Sequence, residues 1–161
     1  MDITLEATQP VNDIEAVYRA HAPRLWRGLL AYTGDAVIAD DAVAEAFAQA
    51  LHRGDALREP ERWVWRTAYR IAAGALKERG RQFGRGSAAE PSYRLDEVPA
   101  SLAEALASLP PGQRAAIVLH YYADLRVRDV AEVLGVSTAA AKVSLMRARR
   151  RLRTFLESTD G

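Results

Sequence analysis

Apolar residues in this chain recur every three or four positions and seldom alternate, a pattern that predicts helices and no strand. Ile14, Val17, Tyr18, His21, Leu25 and Leu29 form a broad stripe behind Asn12 or Asp13 as cap, and Thr33-Gly34-Asp35 ends that helix. Asp35 is placed to cap the next, AVIADDAVAEAFAQAL, whose early carboxylates suit the positive end of the helix dipole. Phe47 on it reads as core. HRGDALRE reads as a loop, and Pro60 fits the first turn of a third helix whose Val64, Ala68, Ile71 and Ala75 share a core face. Between residues 80 and 100, Gly, Ser, Pro and mixed charge replace the apolar period, which marks a flexible linker. Helical pattern resumes at SLAEALASL and breaks at Pro110-Pro111-Gly112. It continues through QRAAIVLHYYADL and closes with short helices over 127–134 and 138–156. The fold class expected is all-α: two small helical domains, 12–79 and 101–157, on a tether spanning 80–100. The second contains a helix-turn-helix.

That helix-turn-helix lies in VRDVAEVLGVSTAAAKVSL. Val130, Ala131 and Leu134 form the inner face of its first helix, and Ala131 is small enough for close approach of the second. Gly135 stands at the sharp turn, a conformation easiest without a Cβ. Val136 is expected to plug the corner and Ser137 to cap the second helix, in which Ala141 and Leu145 point inward. A plain helical hairpin would use the same core, so charge discriminates. Between Arg126 and Arg153 there are eight basic residues, opposed only by Asp129 and Glu132. Arginine at that density suits phosphate contacts, which fix affinity and register. The helix that should read bases, however, offers Ala139, Ala140, Val143 and Met146. Thr138, Lys142, Ser144 and Arg147 are left to make polar contacts, so discrimination per base is expected to be modest.

Composition narrows the classes. The 161 residues contain no cysteine, so there is neither disulfide nor thiolate zinc site, and His21, His52 and His120 lie too far apart in sequence to suggest a metal centre. No apolar run approaches the roughly 20 residues of a membrane span, and the N-terminus lacks a signal core. A cytoplasmic protein without membrane insertion is expected. No nucleophile–base pair or phosphate loop points to an enzyme, and no cofactor is implied. The net charge of +1 conceals a polarity. Residues 1–61 carry 11 acidic against 5 basic side chains, and residues 62–161 carry 10 against 17. The first part thus suits a basic protein surface and the second an anionic polymer.

In their order these parts resemble a bacterial alternative sigma factor of the extracytoplasmic-function type, within the sigma-70 family. IEAVYRAHAPRLWRGLLAYTGD resembles the first helix of the promoter-melting domain, DDAVAEAF the acidic helix that docks on the polymerase clamp, and WVWRTAYRIAAGALKERGR the helix that meets the −10 element. LASLPPGQRAAIVLHYYADLRVRDVAEVLGVS with RARRRL resembles the −35-binding domain. The resemblance implies core RNA polymerase and promoter DNA as partners, and offers an anti-sigma protein as a third. Asp40, Asp41 and Glu45 are then the polymerase contacts. Trp63, Trp65, Arg66, Arg70 and Lys77, with Arg53, Asp55 and Arg58 from the loop, are candidates for the −10 region, where aromatic rings and arginines catch unstacked bases. Arg126, Arg128, Ser137, Thr138, Lys142, Ser144, Arg147, Arg149 and Arg150 are candidates for the −35 element.

The chain departs from the family where Ala44 replaces a common Gln, where Arg70 and Gly74 replace Asn and Asp, and where Ser144 replaces the arginine before Leu145. Two other classes share many of these features: a sigma-like helical adaptor bound to protein, and a free-standing DNA-binding regulator.

Overall fold

The computed structural model describes residues 13–83 and 100–160, and every regular element among them is helical. Three long helices form the first module: α1 (Ile14–Thr33), α2 (Ala36–Arg53) and α3 (Pro60–Phe83), with a single 3₁₀ turn at Gly54–Ala56. The second holds α4 (Ala100–Ala107), α5 (Pro111–Ile117), α6 (Val127–Leu134) and α7 (Thr138–Thr159). Residues 80–83, read from sequence as linker, continue α3, and Ala100 already belongs to α4. Residues 84–99 lie outside the described residues.

Local chemistry sets the boundaries. Asp13 caps α1 by accepting from the Ala16 N–H, and Gly34 ends the helix in the left-handed region at φ 68°. The Asp35 carboxylate accepts from the N–H groups of Val37 and Ile38, which are orphan donors of α2's first turn. Its other oxygen takes the guanidinium of Arg79, so one side chain starts α2 and ties down the far end of α3. His52 and Arg53, expected in a loop, are the last residues of α2, where cations suit the helix C-terminus.

The inner face of α2 is alanine at every turn. Ala39, Ala42, Ala46 and Ala50 are fully buried, which lets α1 and α3 approach closely. Leu25, Leu29 and Leu30 of α1 and Val64, Ala68 and Ala72 of α3 complete that core. Ile71 and Ala75 are only half-buried, and Trp65 and Tyr69 take the inward positions beside Val64 and Ala68 instead. On α1, Tyr18 is exposed and packs edge-on against the buried Phe47. In the second module α7 is the spine, packed against α4, α5 and α6 through Ala141, Leu145 and Ala148. Helix α5 passes into one wide π-turn at Val118–Tyr122.

The two modules share one core. Leu106, Leu109, Ala115 and Leu119 of the second join the cluster formed by α1 and α3. Arg114 pins the junction: its guanidinium donates to the carbonyls of Leu106 and Leu109 at 3.0 Å, where α4 ends, and of Tyr32 at 2.8 Å, in the last turn of α1.

Replacing Asp35 with alanine removes both the α2 cap and the anchor of Arg79. We expect a loss of about 1–2 kcal/mol, read as a lower urea midpoint with unchanged slope.

Candidate nucleic-acid interface

The turn between α6 and α7 is built by backbone. Gly135 takes φ 68°, and the N–H groups of Val136 and Gly135 return to the carbonyls of Ala131 and Glu132 at 3.0 and 3.3 Å. These are the paired bonds of a Schellman stop. Val136 is therefore not the corner plug expected from sequence. It is 44% exposed, and Leu134 is only half-buried. Ser137 caps α7 by accepting from the Ala140 N–H at 3.0 Å, so its hydroxyl already has a structural partner. Ser144 is half-buried on the flank of α7.

Opposite the inward Ala141, Leu145 and Ala148, α7 presents Ala139, Ala140, Val143, Met146 and Arg147 to solvent. Arg126, Arg128, Thr138, Lys142, Arg147 and Arg150 are also exposed. None of the five basic residues in that set forms an ion pair among the described residues. Arg149 differs: it donates to the Tyr121 hydroxyl and lies over that ring at 5.3 Å. Tyr121 itself is 54% exposed on the π-turn, a helix irregularity common at functional positions. No sequence signal singled it out.

The stripe on α3 is divided. At its N-terminal end Trp63 is half-buried and carries the Arg53 guanidinium 5.2 Å from its ring, which joins the loop candidates to the stripe. Asp55 and Arg58 stand exposed nearby in sequence. Trp65 is not part of this surface. It is 5% exposed, stacked on Tyr69 at 6.3 Å, because its side chain fills the junction between modules. In the middle of the stripe, Arg66 reaches both carboxylate oxygens of Glu132 at 3.2 Å and Arg70 reaches one at 3.4 Å. One turn earlier Arg62 meets Asp129 at 2.5 Å. Glu132 and Asp129 belong to α6, so the helix-turn-helix lies across part of the stripe. Lys77, farther along, is exposed.

A ring contact completes this closure. An added Cβ at Gly28 would stand 2.7 Å from the Tyr69 hydroxyl and 3.0 Å from the Tyr122 ring, so only glycine leaves room there. Arg24 sits 5.3 Å over the Tyr122 ring and 5.9 Å over Trp65, donates to the Tyr122 carbonyl, and pairs with Asp124 at 3.2 Å. The Tyr69 hydroxyl is buried without a hydrogen-bond partner among the described residues, and burial, with Tyr122 and Tyr32 nearby, pushes its pKa well up.

On α2, Asp40, Asp41 and Glu45 are all exposed. Asp40 accepts from the Trp26 indole at 2.6 Å and Glu45 from the Gln49 amide at 2.9 Å, which fixes two of the three carboxylates in place. Ala44 and Asp40 line a shallow groove with Tyr18, Ala22, Pro23 and Trp26 of α1. Among the described residues no three His, Cys, Asp or Glu side chains stand together as a metal site, and no helix is long and apolar enough to cross a membrane.

Comparison with known proteins matches both modules. The sigma-70 region 2 family covers residues 17–85 and sigma-70 region 4 covers residues 100–152. The extracytoplasmic-function (ECF) RNA polymerase sigma factor SigL of Mycobacterium tuberculosis is 31% identical over 160 residues, covering 89% of each chain. ECF sigma factor SigM of Bacillus subtilis is 23% identical over 88% of this chain and 94% of its own. Among solved structures, the sigma factor RpoE in complex with the anti-sigma factor NepR from Bartonella quintana superposes with TM-score 0.74 at 22% identity, covering 91% of this chain and 98% of RpoE. CnrH in complex with the cytosolic domain of CnrY gives 0.65 at 24% identity, covering 90% and 88%. At that identity these two likenesses speak for the fold.

Reversing Glu132 to arginine sets three like charges against one another where Arg66 and Arg70 now close on a carboxylate. We expect the modules to separate while each stays helical. A fluorophore pair on α2 and α7 should report a longer distance in the variant than in wild type, and 0.5 M salt should narrow the difference, because these pairs are partly exposed.

Proposed function

Because this chain belongs to the ECF sigma factors of the sigma-70 family, we propose that its acidic helix α2 is the polymerase contact, its α3 stripe the −10 contact and its helix-turn-helix the −35 contact of a promoter-specificity factor. A sigma factor binds core RNA polymerase and directs it to start transcription at chosen promoters. The observation that carries the assignment is the uncompensated basic face around α7, set beside carboxylates on α2 in the other module. A polyanion and a basic protein surface are the partners such a division suits.

In this reading Asp40, Asp41 and Glu45 meet a basic surface of the polymerase. Arg53, Asp55, Arg58, Trp63, Arg66, Arg70 and Lys77 meet the −10 region as it opens. Trp65 is left out because it is buried. Arg126, Arg128, Thr138, Lys142, Arg147, Arg149 and Arg150 meet −35 phosphates and base edges, with Ser144 at the margin and Ser137 acting through the cap on α7. An anti-sigma protein is a further partner, by analogy with the complexes of RpoE with NepR and of CnrH with CnrY. The cytoplasm, where polymerase and promoter are found, is the compartment that fits.

The closed arrangement bears on how this works. Promoter elements at −10 and −35 lie about 25 base pairs apart, roughly 85 Å along duplex DNA at about 3.4 Å per pair. A chain in which Arg62 and Asp129 touch at 2.5 Å cannot reach both. Engagement of a promoter therefore requires that α6 leave α3, which frees Arg66 and Arg70 for DNA.

Run-off transcription with purified core polymerase tests the assignment as a whole. Reversal of Asp41 and Glu45 to lysine should weaken co-elution with core enzyme by about tenfold or more while circular dichroism stays helical. Undiminished binding would remove α2 from the contact. Arg70→Ala with Lys77→Ala should reduce permanganate reactivity of the −10 region, and a promoter that melts as in wild type would show the stripe to be merely solvated.

A further inference from the structure

We infer that α7 reads the −35 element through thymine methyl groups, with Val143 at the centre of the reading face, so that the preferred site is marked by clustered thymines. This rests on the helix-turn-helix binding DNA.

The argument begins with direction. Successive residues on a helix are about 100° apart. Ala141, Leu145 and Ala148 are buried, which points the opposite side of α7 straight outward. Val143 falls near the middle of that outward arc, with Ala139, Ala140 and Met146 around it. Val143 is 39% and Met146 48% exposed. A helix-turn-helix places the first turns of this helix in the major groove. Arginine and asparagine, the usual readers of guanine and adenine, are absent from the first two turns of this arc. Arg147 and Arg150 follow on the same side one and two turns after Val143, and Lys142 stands at its edge. The one apolar group on a major-groove edge is the thymine C5-methyl, and alanine and other small apolar side chains are its usual contacts.

Charge identifies the occupant. An exposed apolar strip alone fits the apolar face of another protein helix equally well. Here the strip lies among Arg126, Arg128, Lys142, Arg147 and Arg150, all exposed and without carboxylate partners among the described residues. A polyanion that lines both sides of an apolar patch matches a duplex groove, with phosphates at the rims and methyls on its floor. Ala139 and Ala140 add no side-chain length, which lets the first turn of α7 approach the bases. The closed arrangement leaves this face open while Arg66 and Arg70 are held by Glu132, so it is available before the modules part.

Deoxyuridine tests the proposal, since it keeps every hydrogen-bonding group of thymine and lacks only the methyl. The full chain, alone and assembled with core polymerase, is used to select from two randomised duplex pools, one made with thymine and one with deoxyuridine. We expect enrichment of thymine clusters from the first pool and none from the second. In an enriched duplex, each contacted thymine changed to deoxyuridine should weaken binding about fourfold, the equivalent of about 0.8 kcal/mol per buried methyl. A 5-methylcytosine–guanine pair there should bind better than a cytosine–guanine pair. Val143→Ala should shrink the thymine-to-deoxyuridine ratio, whereas Lys142→Ala should lower binding to both duplexes alike. Equal affinity for thymine and deoxyuridine duplexes overturns methyl readout while leaving DNA binding intact. Failure to retain any duplex at low salt, alone or with polymerase, overturns DNA binding by α7 and methyl readout with it, and leaves the strip as a protein contact.

Discussion

Tyr122 standing against Gly28 is the contact on which the described arrangement depends. Each module is small, and small helical units leave much apolar surface uncovered. The second module covers part of this deficit by turning its π-turn onto α1 and α3, where Trp65, Tyr69 and Tyr122 gather around the one position of α1 with room for a third ring. Arg24 and Arg114 then fasten the junction by donating to main-chain carbonyls across it. The Tyr69 hydroxyl is buried in this ring cluster with no hydrogen-bond partner among the described residues, so the junction rests on ring packing more than on polar contacts of the rings.

Electrostatics follow the same division. Asp129 and Glu132 are the only carboxylates between Arg126 and Arg153, and both face arginines of α3. The negative charge of the helix-turn-helix is thereby turned inward, onto the other module. Its outer face keeps lysine and arginine alone. The closing contacts and the outer basic face are in this sense one arrangement: the same helix supplies carboxylates to one side and presents the turn into α7 on the other.

Much of the fold was legible because it obeys local rules. Gly34 and Gly135 at positive φ, the caps at Asp13, Asp35 and Ser137, and Pro60 at the start of α3 each depend on neighbours within a few residues. The helix-turn-helix was readable for the same reason. Val136 was misjudged because the Schellman bonds close the corner without a side chain. What sequence could not supply was partnership at a distance. Arg62 and Asp129 are 67 residues apart, and Arg24 and Tyr122 are 98 apart. No periodicity on α3 distinguishes an arginine aimed at DNA from one aimed at α6, so the pairing of Arg66 and Arg70 with Glu132 could not be foreseen. Trp65, a −10 candidate by sequence, is buried by a partner distant in sequence: Tyr122 of the other module lies 6.4 Å from its ring.

In the proposed reading Arg66 and Arg70 serve both α6 and the −10 region, and that has an evolutionary consequence. A substitution at either position that retunes promoter preference also alters how firmly the two modules are held together. Drift toward a new regulon through these residues would shift the protein's basal activity in the same step, unless Glu132 changed with them. Among descendants of such a chain, positions 66, 70 and 132 should therefore vary as a set, whereas positions 143 and 146, exposed on the outer side of α7, are left to diversify alone.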